Sequence, residues 1–309
     1  MTLNRKGEGT DSMDGNIKNP NTIGSDSYST AYTSIWNEVF MRFRKNKVAV
    51  AGLFVFVIIC VSCLFAPILT KWSYSYISFD SVLSKPNSVH ILGTDSLGRD
   101  LFSRILYGGR ITLRIALGST GIAAIIGSVI GIQAGYFGES YDFCISGFMD
   151  IIASIPVFLL VIVFEAALGW GKGNFMYAMA IAAIPQFARL VRASVISIMG
   201  CEYIEAARAL GIGHVFIIYR HVLKNIAPQL LIRLTTGAID ALLLCTIMGY
   251  LGIGISPPKP EWGYLAFSGK AQIRNHPYLV IFPCLTIALC VVSLSFFSDG
   301  LRDSLDPRE

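Results

Sequence analysis

Three acids, Asp150, Glu165 and Asp240, sit inside or at the edges of otherwise apolar runs. A charged carboxylate at the centre of a membrane helix costs about 2.5–3.5 kcal/mol on insertion scales, so it survives only facing protein or water. Two readings follow: a water-lined path that contacts a cationic end of something passing through, or a polar contact between helices. Asp150 and Glu165 lie toward the ends of their runs, where the helix contact fits. Asp240 lies deeper, with Arg233 two turns away as an alternative partner. Asp240 and Glu165 are the candidate path residues. Other chemistry is sparse. Cys60-Val-Ser-Cys63 has redox or metal spacing, but within an apolar helix two small buried thiols account for it. His90, His214, His221 and His276 are scattered. The chain contains no HExxH or GxSxG, and Gly169-Trp170-Gly171-Lys172-Gly173 fails the spacing of a phosphate-binding loop. Neither a catalytic constellation, a metal site nor an ATP site is expected.

The most distinctive polar stretch is Glu205-Ala206-Ala207-Arg208-Ala209-Leu210-Gly211, between two very apolar regions. Glu202 and Glu205 would lie at the start of a short helix, where the backbone dipole favours negative charge. Ala206, Ala207 and Ala209 are strong, slim helix formers, and Gly211 and Gly213 allow a sharp turn after it. The amphipathic run Val215 to Leu223 then leads back toward the apolar region. A compact helix with a flat face and a defined acid suits docking into a cleft of another protein.

The surrounding elements are membrane ones. Of 309 residues 53% are hydrophobic and 15% charged, with mean hydropathy +0.59; soluble proteins carry about 25% charged residues. A bilayer core takes about 20 helical residues. Val48–Leu69, Ile115–Phe137 and Pro277–Ser298 carry no charge at all, and weaker spans cover roughly 143–165 (broken by Asp150), 173–196 and 226–251. Six spans make an all-α polytopic membrane protein. The small residues Gly118, Gly121, Gly127, Gly131 and Gly135 line the second span, with a GxxxG at Gly127 and Gly131 that allows close helix approach. The net charge of +5, without a basic patch of interleaved aromatics, suits anionic lipid and gives no sign of nucleic acid.

Arg42 to Lys47 precede the first span and place the N-terminus in the cytoplasm; six spans return the C-terminus there, and residues 197–225 face the same side. Residues 1–34 read as a disordered cytoplasmic tail with no cleavable signal. Residues 35–70 hold an amphipathic segment and the first span, 71–110 an extracytoplasmic segment, and 111–309 the core with five spans and the polar helix at about 200–222. Within the outer segment, Leu101 to Tyr107 is expected to lie in the interface as an amphipathic helix. In 252–276, Pro257, Pro258 and Pro260 exclude helix locally, and Trp262 is expected to anchor a stiff loop at the interface.

Glu205-Ala206-Ala207 followed by Gly211 resembles the EAA loop of ABC-importer permeases. More specifically, the chain resembles the C-type permease of bacterial dipeptide/oligopeptide importers from about residue 36 to its end. The residues are Leu92-Gly93-Thr94-Asp95, Gly98-Arg99-Asp100, Ala134 to Phe137, Ala188 to Arg192, Tyr203 to Gly211, Pro257-Pro258 with Glu261-Trp262-Gly263, Gly300 to Asp303, and Asp306-Pro307-Arg308. Departures are Lys224 after Leu223, where the family usually has proline, Met248-Gly249-Tyr250 in place of a serine-bearing stretch, and Asp240 where small apolar residues are commoner. The resemblance implies the type I ABC importer permease fold in a bacterial cell membrane. It implies a B-type permease partner, two ATP-binding subunits that hold ATP and magnesium, and an extracytoplasmic substrate-binding protein. Glu205, Ala206, Ala207 and Gly211 would then couple to the ATPases. The expected cargo is di- and oligopeptides, with nickel or a metallophore as the alternative. A membrane enzyme would need convergent catalytic groups, and a passive channel or scaffold would not need the EAA helix.

Overall fold

The computed structural model describes residues 35–169, 174–255 and 257–305. The expected tail 1–34, the segment Trp170 to Gly173, Ser256 and Asp306-Pro307-Arg308 lie outside the described residues. Among the described residues the regular elements are helical, apart from one bridge pairing Thr94 with Asp100. A short amphipathic helix, α1 (Ile35–Lys45), precedes α2 (Lys47–Leu64), which Asn46 caps by accepting the Ala49 N–H at 3.1 Å. The four-residue α3 (Ala66–Leu69) leads into an irregular segment, then α4 (Leu101–Phe137). Next come α5 (Glu139–Ala153), α6 (Val157–Leu168) and α7 (Phe175–Met199). The polar helix α8 (Glu202–Ala209) and α9 (His214–Ile217) follow, and a π turn at Ile218–Val222 joins α9 to α10 (Leu223–Tyr250). The chain ends with α11 (Trp262–Gly269) and α12 (Tyr278–Leu305).

Five helices are long and apolar enough to cross a membrane, or six if the bent pair α5–α6 is one span. That pair turns by 95°. The break was expected at Asp150, but it falls at Ser154-Ile155-Pro156. Proline pushes the residue before it out of the helical region and offers no N–H. Asp150 instead stays within α5 and pairs with Arg189 of α7 at 2.8 Å.

At the centre α4 packs along α7. A Cβ on Gly127 would lie 2.6 Å from Phe187 Cβ, and one on Gly135 2.8 Å from Val195 Cβ. Ordinary carbon contacts are about 3.5–4.0 Å, so only glycine permits this approach, as the GxxxG pattern implied. At 1.5 Å per residue α4 is about 55 Å long, well beyond a hydrocarbon core of about 30 Å.

Two local expectations are corrected. Leu101 to Tyr107 is not an interfacial helix: it is the first two turns of α4, and Leu101, Ser103, Arg104, Ile105 and Leu106 are all buried. Arg104 is admitted because its Nη1 donates to Tyr74 O at 3.3 Å and its Nε lies 3.6 Å from Asp95 Oδ2. Trp262 is not an interfacial anchor either. It is fully buried, lies against Gly108 and Gly109 of α4, and donates its indole N–H to Ile105 O at 2.8 Å.

Candidate functional site

The polar helix α8 is held at one end of the bundle by one face. Ile204 and Ala207 bury into a cluster with Val191 and Val195 of α7, Ile217, Val222 and Ile226. Tyr136, near the end of α4, hydrogen-bonds His214 Nδ1 through its hydroxyl at 2.7 Å. The Arg208 guanidinium lies 5.3 Å from the Tyr136 ring, and Asn225 Nδ2 donates to Tyr203 Oη at 3.0 Å. The short rod is thereby fastened to α4, α7 and the start of α10 together.

Its ends are set locally. Glu202 and Glu205 occupy the first turn and Arg208 the last, each complementing the helix dipole. After Leu210 the chain reverses at Gly211, whose φ of 76° is a left-handed conformation that glycine adopts without strain. Gly211 N donates to Arg208 O at 2.9 Å and Ile212 N to Ala207 O at 3.1 Å, closing the last carbonyls. Glu205 and Ala206 are exposed, while Ala207 points inward. Leu210, Val215 and Tyr219 are 79%, 81% and 75% exposed, so an apolar rim flanks the acid. Of the four motif residues, Glu205 and Ala206 form the outer face, Ala207 the inner attachment and Gly211 the exit.

The membrane acids have different surroundings. Asp240 is 64% exposed and its Oδ2 lies 3.4 Å from Arg233 Nη1, the partner two turns away. Arg233 also donates to Gln186 and to Thr236, and its guanidinium lies 5.4 Å from the Phe187 ring. Glu165 is fully buried in α6, and neither carboxylate oxygen has a hydrogen-bond partner among the described residues. Glu165 thus has no polar partner within reach among the described residues, whereas Asp240 has Arg233. On α5, Asp142 receives Nε and Nη2 of Arg192 from α7.

At the opposite end of the bundle, Glu261 caps α11. Its Oε1 accepts from Gly263 N at 2.9 Å and Thr112 Oγ1 at 3.1 Å, and its Oε2 from Tyr264 N at 2.9 Å. Burial pushes the carboxyl up to about 7, against the opposing pull of the N–H groups and the Thr112 hydroxyl. The cap and the buried Trp262 lock α11 between α4 and α10. Nearby, Asp100 caps α4 by accepting Ser103 N and Oγ, both at 2.8 Å, and its other oxygen meets His90 Nδ1 at 3.0 Å. The local reading missed this cap; Asp100 followed by Ser103 ahead of an apolar run was its signal.

Residues 127–309 match the family described as binding-protein-dependent transport system inner membrane component. Residues 34–86 match the N-terminal TM domain of oligopeptide transport permease C. The dipeptide transport system permease protein DppC of Alkalihalophilus pseudofirmus is 38% identical over 289 residues, 94% of this chain and 95% of that one. The glutathione transport system permease protein GsiD of Pectobacterium atrosepticum is 36% identical over 274 residues, 88% of this chain and 91% of that one. Among solved structures, an inward-facing MetNI methionine ABC transporter chain superposes with TM-score 0.55 at 19% identity, covering 67% of this chain and 98% of that one. That likeness concerns the fold.

Proposed function

The chain belongs to the binding-protein-dependent transport permeases, in their oligopeptide permease C branch, and on that premise we propose that it carries di- and oligopeptides across a bacterial inner membrane. It is a transport component of the ABC importer type and not an enzyme. Permeases of this family work with a partner permease, ATPases and a binding protein. For this chain we assign one B-type permease, two ATP-binding subunits carrying ATP and magnesium, and one extracytoplasmic binding protein. Both termini and α8 lie on the cytoplasmic side in this reading, with Arg42, Arg44 and Lys45 ahead of α2 and Lys47 at its start supporting that orientation. Glu165 and Asp240 are assigned to the border of the path.

One observation carries the coupling role. The helix α8 buries Ile204 and Ala207 against three spans and leaves Glu205 and an apolar rim open. An ATPase gripping that outer face would move α4, α7 and α10 with it, the rigid-body displacement used by alternating-access transporters. The relatives' names, dipeptide and glutathione permease, support peptides over nickel as cargo. Uptake of labelled di- to octapeptides and of nickel by the reconstituted assembly tests the cargo; nickel uptake without peptide uptake would overturn it. Glu205→Arg tests the coupling: the chain inserts normally, while uptake falls at least tenfold and the ATPases co-purify poorly. Normal uptake and normal co-purification would refute the role.

A further inference from the structure

A cavity of about 990 Å³ opens at the end of the bundle away from α8. It lies between the last turns of α2, the first half of α4, the start of α7 and the loop before α11. Its volume falls at the upper end of the roughly 300–1,000 Å³ of small-ligand sites. Arg110, Arg114 and Lys259 line it together with Tyr74, Tyr107 and Tyr177, and no carboxylate does among the described residues. None of the three cations forms an ion pair among the described residues. Arg110 lies 5.9 Å from the Tyr107 ring.

Arg110 and Arg114 are one turn apart on α4, where like charges repel. Cations at a span are also costly unless they face water or a partner. Three other arginines of the bundle are paired, Arg189 with Asp150, Arg192 with Asp142 and Arg233 with Asp240. The cavity cluster is thus electrostatically incomplete, and an anion completes it. Guanidinium groups bind planar carboxylates through paired N–H donors. The same side of α4 continues past the cluster through the exposed Leu117, the open space beside Gly121, and the 70% exposed Ile125. An unfilled face therefore runs from the cluster toward the other end.

We propose that Arg110, Arg114 and Lys259 form a carboxylate station in the translocation path, where the C-terminal carboxylate of a passing peptide docks. This rests on the peptide reading above. The C-terminal carboxylate is the one anionic group that all free peptides share, so the station tolerates any sequence, and the tyrosines offer side-chain contacts that do not depend on charge. A phospholipid headgroup is the competing source of an anion.

The test uses the full assembly in proteoliposomes at saturating loaded binding protein. Uptake of trialanine is compared with that of its C-terminal amide, so that selection by the binding protein enters both variants equally. The acid-to-amide uptake ratio should fall at least fivefold in Arg110→Gln/Arg114→Gln and stay within twofold of the parent in Arg110→Lys/Arg114→Lys. Co-purification of all subunits is measured first, to separate loss of assembly from loss of the station. An unchanged ratio in an assembled glutamine variant overturns the station while leaving the peptide reading intact. Absence of trialanine uptake by the parent, with nickel uptake present, overturns both. A glutamine variant that alters the dependence of uptake on phosphatidylglycerol content, with the ratio unmoved, assigns the cations to lipid and overturns the station.

Discussion

The seam between α4 and α7 makes a quantitative prediction, because two glycines on one helix have opposite surroundings. A Cβ on Gly131 would lie 2.5 Å from Ala188 O and 2.9 Å from Val191 Cβ; one on Gly121 would meet nothing within 4 Å. Restoring normal contact at Gly131 requires the helices to part by about 1 Å, and the nearest atom is backbone, which cannot rotate away. Overpacking of this kind costs about 1–3 kcal/mol, and replacing glycine with alanine in a helix returns about 1 kcal/mol. Gly131→Ala should therefore lose up to about 2 kcal/mol, while Gly121→Ala should gain up to about 1 kcal/mol. The assay is thermal unfolding of the purified permease pair in detergent, followed by loss of the monodisperse species. Gly131→Ala should melt several degrees below the parent and Gly121→Ala at or above it. Adding Gly127→Ala to Gly131→Ala should cost less than the separate losses combined, since the helices have already parted. If Gly131→Ala melts as high as Gly121→Ala, the seam is not a close-packed contact and the reasoning fails.

Two further outcomes follow from the ion and proton chemistry. Glu261 is held up to about 7 by burial, against about 4.3 for a free glutamate. A raised folded value means that its stabilising contribution is complete below pH about 4 and is lost as pH rises through about 7, by up to about 3 kcal/mol. Melting temperature should therefore decline between pH 5 and 8, and Glu261→Gln should flatten that decline; an identical pH profile in the variant would exclude Glu261 as its source. For the fork between Asp142 and Arg192, Asp142→Arg should destabilise the pair of helices by about 1 kcal/mol, the scale of a partly exposed ion pair. The swap Asp142→Arg/Arg192→Asp should recover at least half of that loss in the same melting assay, and a swap no better than the single variant would count against a specific pair.

Much of the scaffold was legible because the bilayer imposes long charge-free runs. Val48–Leu69 covers all of α2 but its first residue, Pro277–Ser298 contains most of the apolar part of α12, and the GxxxG on α4 identified its close-packed face. What was not legible depends on partners distant in sequence. Arg104 made the start of α4 look interfacial, yet Tyr74 O accepts from it and the Asp95 carboxylate lies 3.6 Å away, which lets it be buried. Trp262 looked like a surface anchor because nothing local reveals the hollow left by Gly108 and Gly109, about 150 residues away. The break between α5 and α6 was available locally: Ile155-Pro156 was the stronger signal, and Asp150 drew attention because an unpaired acid in an apolar run looks disruptive until Arg189 is placed beside it. For the proposed coupling helix the opposite holds. The acid, the small residues and the turn glycine of α8 are all local properties, so the motif was readable residue by residue, whereas its fastening through Tyr136 and His214 was not.

These attachments make α4 the mechanical axis of the bundle. Its first turn is anchored by Asp100, His90 and the Arg104 network, and its last turn reaches α9 through Tyr136 and His214. It also carries Thr112, which binds the Glu261 cap of α11. Three of the long helices around it contain a proline, Pro185 in α7, Pro228 in α10 and Pro283 in α12, whereas α4 has none in its 37 residues. Proline removes a helix hydrogen bond and is the commonest place for a helix to bend. A push on α8 would therefore tilt α4 as a rigid lever while its neighbours flex around it. A tilt of only 5° over about 55 Å displaces one end relative to the other by about 5 Å. Displacement on that scale at the Arg110 end would be enough to narrow or widen the cationic cavity, so the cavity can respond to a push at α8 without any residue of α8 approaching it.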